Sequence, residues 1–180
     1  MGMIRAALLV MIAGVMSVSQ MNAATAELSE YQVKAAYFYN FAKFVEWPKE
    51  RFSSATDPIK FCVLRDPLFQ MELLRIVQGK IIAGHPIEVV HMESAEQSLG
   101  CNALFVNSSQ ERHTRRLMEA LRSRNVLTVG ETEEFLRQGG IIAFVIENER
   151  VQFQINRKAA SAAGLYISSK ILNLAKRVVD

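Results

Sequence analysis

IKFCVLRDPLFQMELLRIVQG, residues 59–79, decides the fold. Its first six residues, Ile59–Leu64, are apolar apart from one lysine and read as a strand covered on both faces. Asp66 and Pro67 then open a helix. An aspartate side chain can accept from the free N–H groups of the first turn, where proline's missing donor is no loss. Phe69, Leu73, Ile76 and Val77 mark the inner face of that helix, and Gly79 stops it. A buried strand leading at once into an amphipathic helix is the start of a β–α–β unit, which builds parallel sheets with helices packed on them.

The alternation continues downstream. Residues 87–92 read as a strand, 94–99 as a short helical turn and Ala103–Val106 as a third strand. Ser108 and Glu111 have the spacing of a capping box for a helix over 109–123. Residues 126–129 are a fourth strand, and 131–138 a short helix stopped by Gly139-Gly140. Residues 141–147 and 150–155 pair as a hairpin through Asn148-Glu149. Asn156 caps a last helix over 157–178, small in its first half (Ala159, Ala160, Ala162, Ala163, Gly164), with Leu165, Ile167, Ile171, Leu172, Leu174 and Ala175 as core in its second. The expectation is an α/β three-layer sandwich: a mostly parallel sheet, an N-terminal amphipathic helix, and a C-terminal antiparallel hairpin plus helix at one edge.

Upstream, EYQVKAAYFYNFAKFVEWP, residues 30–48, is that N-terminal helix, and Pro48 is expected to end it. Tyr31, Ala35, Phe38, Ala42 and Val45 form one stripe, and Glu30 stands four before Lys34 in the favourable order for a helix pair. Phe41, Tyr37 and Phe44, with Val33 at the edge, widen the apolar arc to roughly 200°, beyond the ~100° a surface helix needs. Either the helix is sandwiched between the sheet and a neighbouring helix of the same domain, or Tyr37, Phe44 and Trp47, with Phe41 beside them, face another protein. Residues 49–58 are a polar loop.

Residues 1–26 read as a secretory signal peptide: Arg5 is the positive start, 6–18 the apolar run, and Ala24-Thr25-Ala26 the cleavage site. The apolar run is shorter than the ~20 residues a membrane-spanning helix needs. Cutting there takes 26 of 180 residues and leaves 27–180, 154 residues, enough for one domain with a real core. Arg5 is the leader's only charge, so the net charge falls from +3 to +2, too small to point to nucleic acid.

Cys62 lies in the first strand and Cys101 just before the third, and these strands are neighbours in the common doubly wound order. In an exported chain an even cysteine count favours a disulfide over two buried thiols. Whether it is a switch or a staple stays open. His85 and His91 lie between the cysteines without C-x-x-C or H-x-x-x-H spacing, so no metal and no cofactor is expected.

No nucleophile elbow, phosphate-binding glycine loop or dinucleotide fingerprint is present, and the reading is a non-enzyme with no catalytic residues. Asp66 sits where open α/β sheets place catalytic groups, but its capping role accounts for it. Arg112, Arg115, Arg116, Arg122 and Arg124 make a basic face, either solvated or docked to an acidic partner. Arg65, Asp66, Asn107 and Ser108 lie near the carboxyl ends of two strands and are the expected lining of a small-molecule pocket. Homodimerisation through exposed apolar surface is a further reading.

Four segments in order, EYQVKAAYFYNFAKFVEWP, FCVLRDPLF, GCNALFV and GGIIAFVIENERVQFQINRKAASAAGLYISSKILNLA, resemble the YfiR-like family of exported bacterial proteins over nearly the whole mature chain. The resemblance implies a periplasmic repressor that binds the periplasmic sensor domain of an inner-membrane diguanylate cyclase. Its release raises cyclic di-GMP and favours biofilm. Because the family is broad, a ligand-binding sensor acting on another envelope partner, such as a histidine kinase, is the alternative. The resemblance also implies a Cys62–Cys101 bridge and a second cysteine pair near the final hairpin, where IIAFVIENERVQFQIN, residues 141–156, has none.

Overall fold

The structure, a computed structural model, describes residues 30–180, with the backbone alone for 111–113. The expected signal peptide and the start of the mature chain lie outside the described residues.

In chain order the elements are helix α1 over residues 30–43, β1 Val45–Glu46, β2 Ile59–Leu64, α2 Pro67–Val77, β3 Ile81–Ile82 and β4 His85–Met92. Next come β5 Ala103–Val106, α3 Glu111–Leu121, β6 Leu127–Gly130, α4 Glu133–Arg137, β7 Ile142–Glu147 and β8 Arg150–Asn156. The chain closes with α5 Arg157–Ala162, β9 Tyr166–Ile167, α6 Ser169–Leu172 and β10 Arg177–Val179. Among the described residues eight strands form one sheet, in the order β10-β8-β7-β6-β5-β2-β4-β3. The run β7-β6-β5-β2-β4 is parallel, β8 is antiparallel to β7, and β10 returns parallel to β8.

Alternation along the strands sorts the core into two layers. Ile59, Phe61 and Val63 of β2, with Ala103 and Phe105 of β5, face α1 and α2. Cys62, Leu64, Leu104 and Val106 point the other way, toward Leu117 and Met118 of α3 and Phe135 of α4. This is the expected three-layer sandwich. Phe38 of α1 meets Phe61, Phe69 and Phe105 edge-on, while Tyr37 and Phe41 meet Phe144 and Phe153 of the hairpin. Most of the wide apolar arc is thus covered by the chain itself, with Val33 left exposed and Phe44 half-buried: α1 lies across the sheet from β2 to β8, and Leu165, Ile167 and Ile171 belong to the same core.

Cys62 and Cys101 are joined, with Cα atoms 5.9 Å apart across a separation of 39 residues. The chain-entropy model puts such a loop at about 4 kcal/mol. The Arg51 guanidinium donates to the Cys101 carbonyl at 2.7 Å and ties the 49–58 loop to the bridge.

Four expectations need correction. Helix α1 ends at residue 43, not at Pro48: Phe44 N–H turns back to Phe41 O, and Val45 and Glu46 pair with β9. Ser108 is not a helix cap, since Ser108–Gln110 make a 3-10 turn with Gln110 at the N-cap, and Asn107 Oδ1 holds Ser109 N–H at 2.7 Å. The last helix is not continuous. Asn156 does cap α5, but Gly164 at φ +71 ends it, and a Cβ there would stand 2.6 Å from Asn125 Nδ2. Past Gly164 the chain forms β9, α6 and β10 instead, and Leu174 is 69% exposed rather than in the core. The hairpin is therefore not the sheet edge, because β10 covers β8.

Candidate functional site

The chain leaves β2 for β4 on one side and returns to β5 on the other, so β2 and β5 flank the point where strand order reverses. Open α/β sheets bind ligands in the crevice at the carboxyl ends of such strands. Here the crevice is spanned by the protein. Asp66, buried, caps α2 with Oδ1 on Phe69 N (3.0 Å) and accepts Asn107 Nδ2 on Oδ2 at 2.7 Å. Beside it Glu131, just past β6, accepts Ser108 N–H at 2.9 Å and Lys34 Nζ at 2.6 Å. Lys34 also pairs with Glu30 one turn earlier on α1. Burial pushes the Lys34 ammonium down, and the Glu131 charge and hydrogen bond, with Glu30 behind them, outweigh it and leave the group above the ordinary 10.5. These bonds fasten α1 to the carboxyl ends of the sheet.

Three of the four expected pocket residues, Asp66, Asn107 and Ser108, thus stand side by side in bonds with one another or with Glu131. Arg65 is elsewhere. At φ +51 it turns toward β4, donating from Nε to Glu93 O at 2.6 Å. There it lines an open cleft of about 430 Å³ with Leu64, Ser94, Glu96, Arg116 and Leu117. Glu96 is held below the usual carboxylate range, first by the Ser94 hydroxyl. Glu131 could have been read by extending the same rule to β6, since it comes directly after that strand. Lys34 carries no such signal, being 97 positions away.

The four expected partner-facing residues divide. Phe41 is fully buried and belongs to the core, a correction that rests on its ring contacts with Tyr37, Phe144 and Phe153. Tyr37 is half-buried with its ring against the same hairpin. Phe44 and Trp47 are half-buried where α1 leaves the sheet, next to β9, whose Tyr166 is 62% exposed. The Trp47 indole N–H is buried without an acceptor.

On this outer side Lys43 lies over the rings of Tyr39 (5.5 Å) and Phe44 (6.0 Å), Lys80 over Tyr39 (4.5 Å) and Lys170 over Phe44 (6.0 Å). Lys80, Tyr39, Lys43, Phe44 and Lys170 form an alternating ladder of cations and rings. No sequence period could show it, since Lys80 lies beyond the end of α2 and Lys170 lies in α6.

Among the described residues no group of three or more His, Cys, Asp or Glu could hold a metal ion, and no helix is long and apolar enough to cross a membrane.

A family model described as YfiR/HmsC-like matches residues 31–176. Among solved structures, the chain is similar to a conserved domain protein from Vibrio cholerae O1 biovar eltor (TM-score 0.50, 12% identity, covering 67% of this chain and 54% of that one). It is also similar to the ABC domain in complex with L-Trp from Streptococcus pneumonia (TM-score 0.55, 12% identity, covering 81% of this chain and 60% of that one). At that identity the likeness is one of fold, and this chain spans little more than half the length of either.

Proposed function

The chain belongs to the YfiR/HmsC-like family, and on that premise we propose that it is a periplasmic regulator of diguanylate cyclase signalling. In this reading the leader of residues 1–26 exports it, and 27–180 act as one YfiR-like domain. That domain binds the periplasmic sensor domain of an inner-membrane cyclase and restrains it, lowering cyclic di-GMP. Restraint requires that it bind one state of the sensor better than the other.

The observation that supports this most is the division along α1. Phe41 is buried and half-buried Tyr37 lays its ring on the chain's own hairpin, whereas Phe44 and Trp47, also half-buried, stand at the helix end beside exposed Tyr166. Aromatic groups at the rim of a core are the common anchors of protein interfaces. The test is capture of tagged protein from crosslinked cells, read by mass spectrometry, together with cyclic di-GMP in cells lacking the chain. Recovery of a membrane cyclase and a rise in cyclic di-GMP are expected. Unchanged cyclic di-GMP would overturn the reading.

A ligand-binding sensor that acts on another envelope partner, such as a histidine kinase, is the second reading. The cleft beside Arg65 and Arg116 supports it, with apolar Leu64 and Leu117 also in its lining. A thermal-shift screen of envelope metabolites should then give a ligand that Arg116→Ala weakens, and a flat response would count against it.

A further inference from the structure

The ladder on the outer side of α1 combines two features: exposed cations in no ion pair, and aromatic rings beneath them. Lys43, Lys80 and Lys170 are exposed, and among the described residues none of them is in an ion pair. Glu46, the acid nearest along the chain to Phe44, lies on β1 and pairs with none of them. Each ammonium lies over a ring, and each ring carries two ammoniums. A cation over an aromatic face is attracted by the ring quadrupole, which holds the lysine down along the surface. The patch therefore offers charge and apolar area together, in fixed positions, with its counter-charge left to come from outside.

We infer that the Lys80–Tyr39–Lys43–Phe44–Lys170 ladder is a docking surface for an acidic, partly apolar segment of another protein. Where the regulator reading holds, that protein is the membrane sensor, so the inference deepens that reading and rests on it for the partner's identity. Carboxylates of the segment meet the three ammoniums, and its apolar side chains lie on the two rings. The covered rings of the patch favour a protein over a bilayer. Tyr39 and Phe44 are half-buried beneath lysines, so neither protrudes as an inserting side chain would. Like charge argues against a second copy, since a two-fold contact would bring three lysines onto three lysines. The arginines on and just beyond α3 are the rival acidic-partner surface, but among the described residues Arg115, Arg116, Arg122 and Arg124 lie over no ring. Arg115 already has an acid near it, since the Glu134 carboxyl, held below the usual range first by the Gln138 side chain and then by Arg137, is lowered by Arg115 as well.

The probe is a fluorescein-labelled peptide of alternating Glu and Leu, titrated by anisotropy into the purified mature chain. The variants are Lys43→Glu/Lys80→Glu/Lys170→Glu, the same three positions changed to Arg, and Arg122→Glu/Arg124→Glu. All carry exposed substitutions, and thermal melts check that each folds. The expected result is binding by the parent, weakened about tenfold or more by the triple Glu change, kept by the triple Arg change and by the α3 variant, and reduced by salt. Equal binding by the triple Glu variant overturns the inference, as does equal weakening by the α3 variant, which would mean charge without a site. Binding to phosphatidylglycerol vesicles but not to the peptide makes a bilayer the occupant. Self-association lost only in the triple Glu variant makes it a second copy. In cells, triple Glu protein that lowers cyclic di-GMP as well as the parent sinks the docking surface and leaves the regulator standing. Unchanged cyclic di-GMP on deletion of the chain, with the peptide result intact, sinks the regulator and leaves the surface.

Discussion

Lys34 and Lys43 stand on the same helix and are put to opposite uses. Lys34 is buried, its ammonium between the carboxylates of Glu131 and Glu30. Lys43, less than three turns on, is exposed and has rings for neighbours. One charge is consumed in holding the helix to the sheet, and the other is left facing outward. The aromatics divide the same way, with Phe41 inside and Phe44 at the rim. An apolar or cationic residue on a helix thus carries no function by type alone. What matters is whether the chain itself has already supplied its partner.

Phe41→Ala should break the inner half most severely. It empties a site packed among Tyr37, Phe144 and Phe153 and should cost about 4 kcal/mol in denaturant unfolding. If Phe41 is instead a contact residue, the change would leave stability alone and weaken partner capture.

Lys34→Met comes next. It strands Glu131, whose side chain is only 10% exposed, beside an apolar neighbour, at about 3 kcal/mol. The pH dependence has a definite sign. Lys34 is raised in the folded state, so its stabilisation is complete below the unfolded value of 10.5 and is lost as pH rises through the folded value. Unfolding midpoints should therefore fall on the alkaline side of 10.5 in the parent, with that part of the fall missing in Lys34→Met.

Phe44→Ser, at the rim, should cost about 1 kcal/mol of stability while weakening partner capture, the reverse of the Phe41 pattern. Smallest in stability is Lys43→Glu, within about 0.5 kcal/mol, since an exposed lysine in no ion pair has little to lose. Its effect should appear in binding.

The same contrast explains what could be read beforehand. Runs such as Ile59–Leu64 and Ala103–Val106, each leading through a polar loop into an amphipathic helix, betray a parallel sheet because both faces of each strand are covered. The C-terminal quarter misleads for an equally physical reason. Alanines at 159, 160, 162 and 163 favour a helix on propensity, and the stop lies in Gly164, left-handed at φ +71 and close enough to Asn125 that a Cβ would crowd it. Strands of two or three residues, such as β3, β9 and β10, are too short to show a period of two. At the site, Asp66 and Asn107 are legible because strand ends are, and so is the Cys62–Cys101 pair. Lys34–Glu131 and the lysine ladder are not, because they join residues far apart in sequence through the packing of α1, which only the folded chain defines.

The most direct test of the outward-facing half of α1 is in-cell photocrosslinking, with a photoreactive residue at position 43 in one strain and at position 124 on the far side of the sheet in another. A membrane sensor crosslinked from position 43 and not from 124 is the predicted result. Adducts with that sensor from 124 alone, or equally from both positions, would contradict the account.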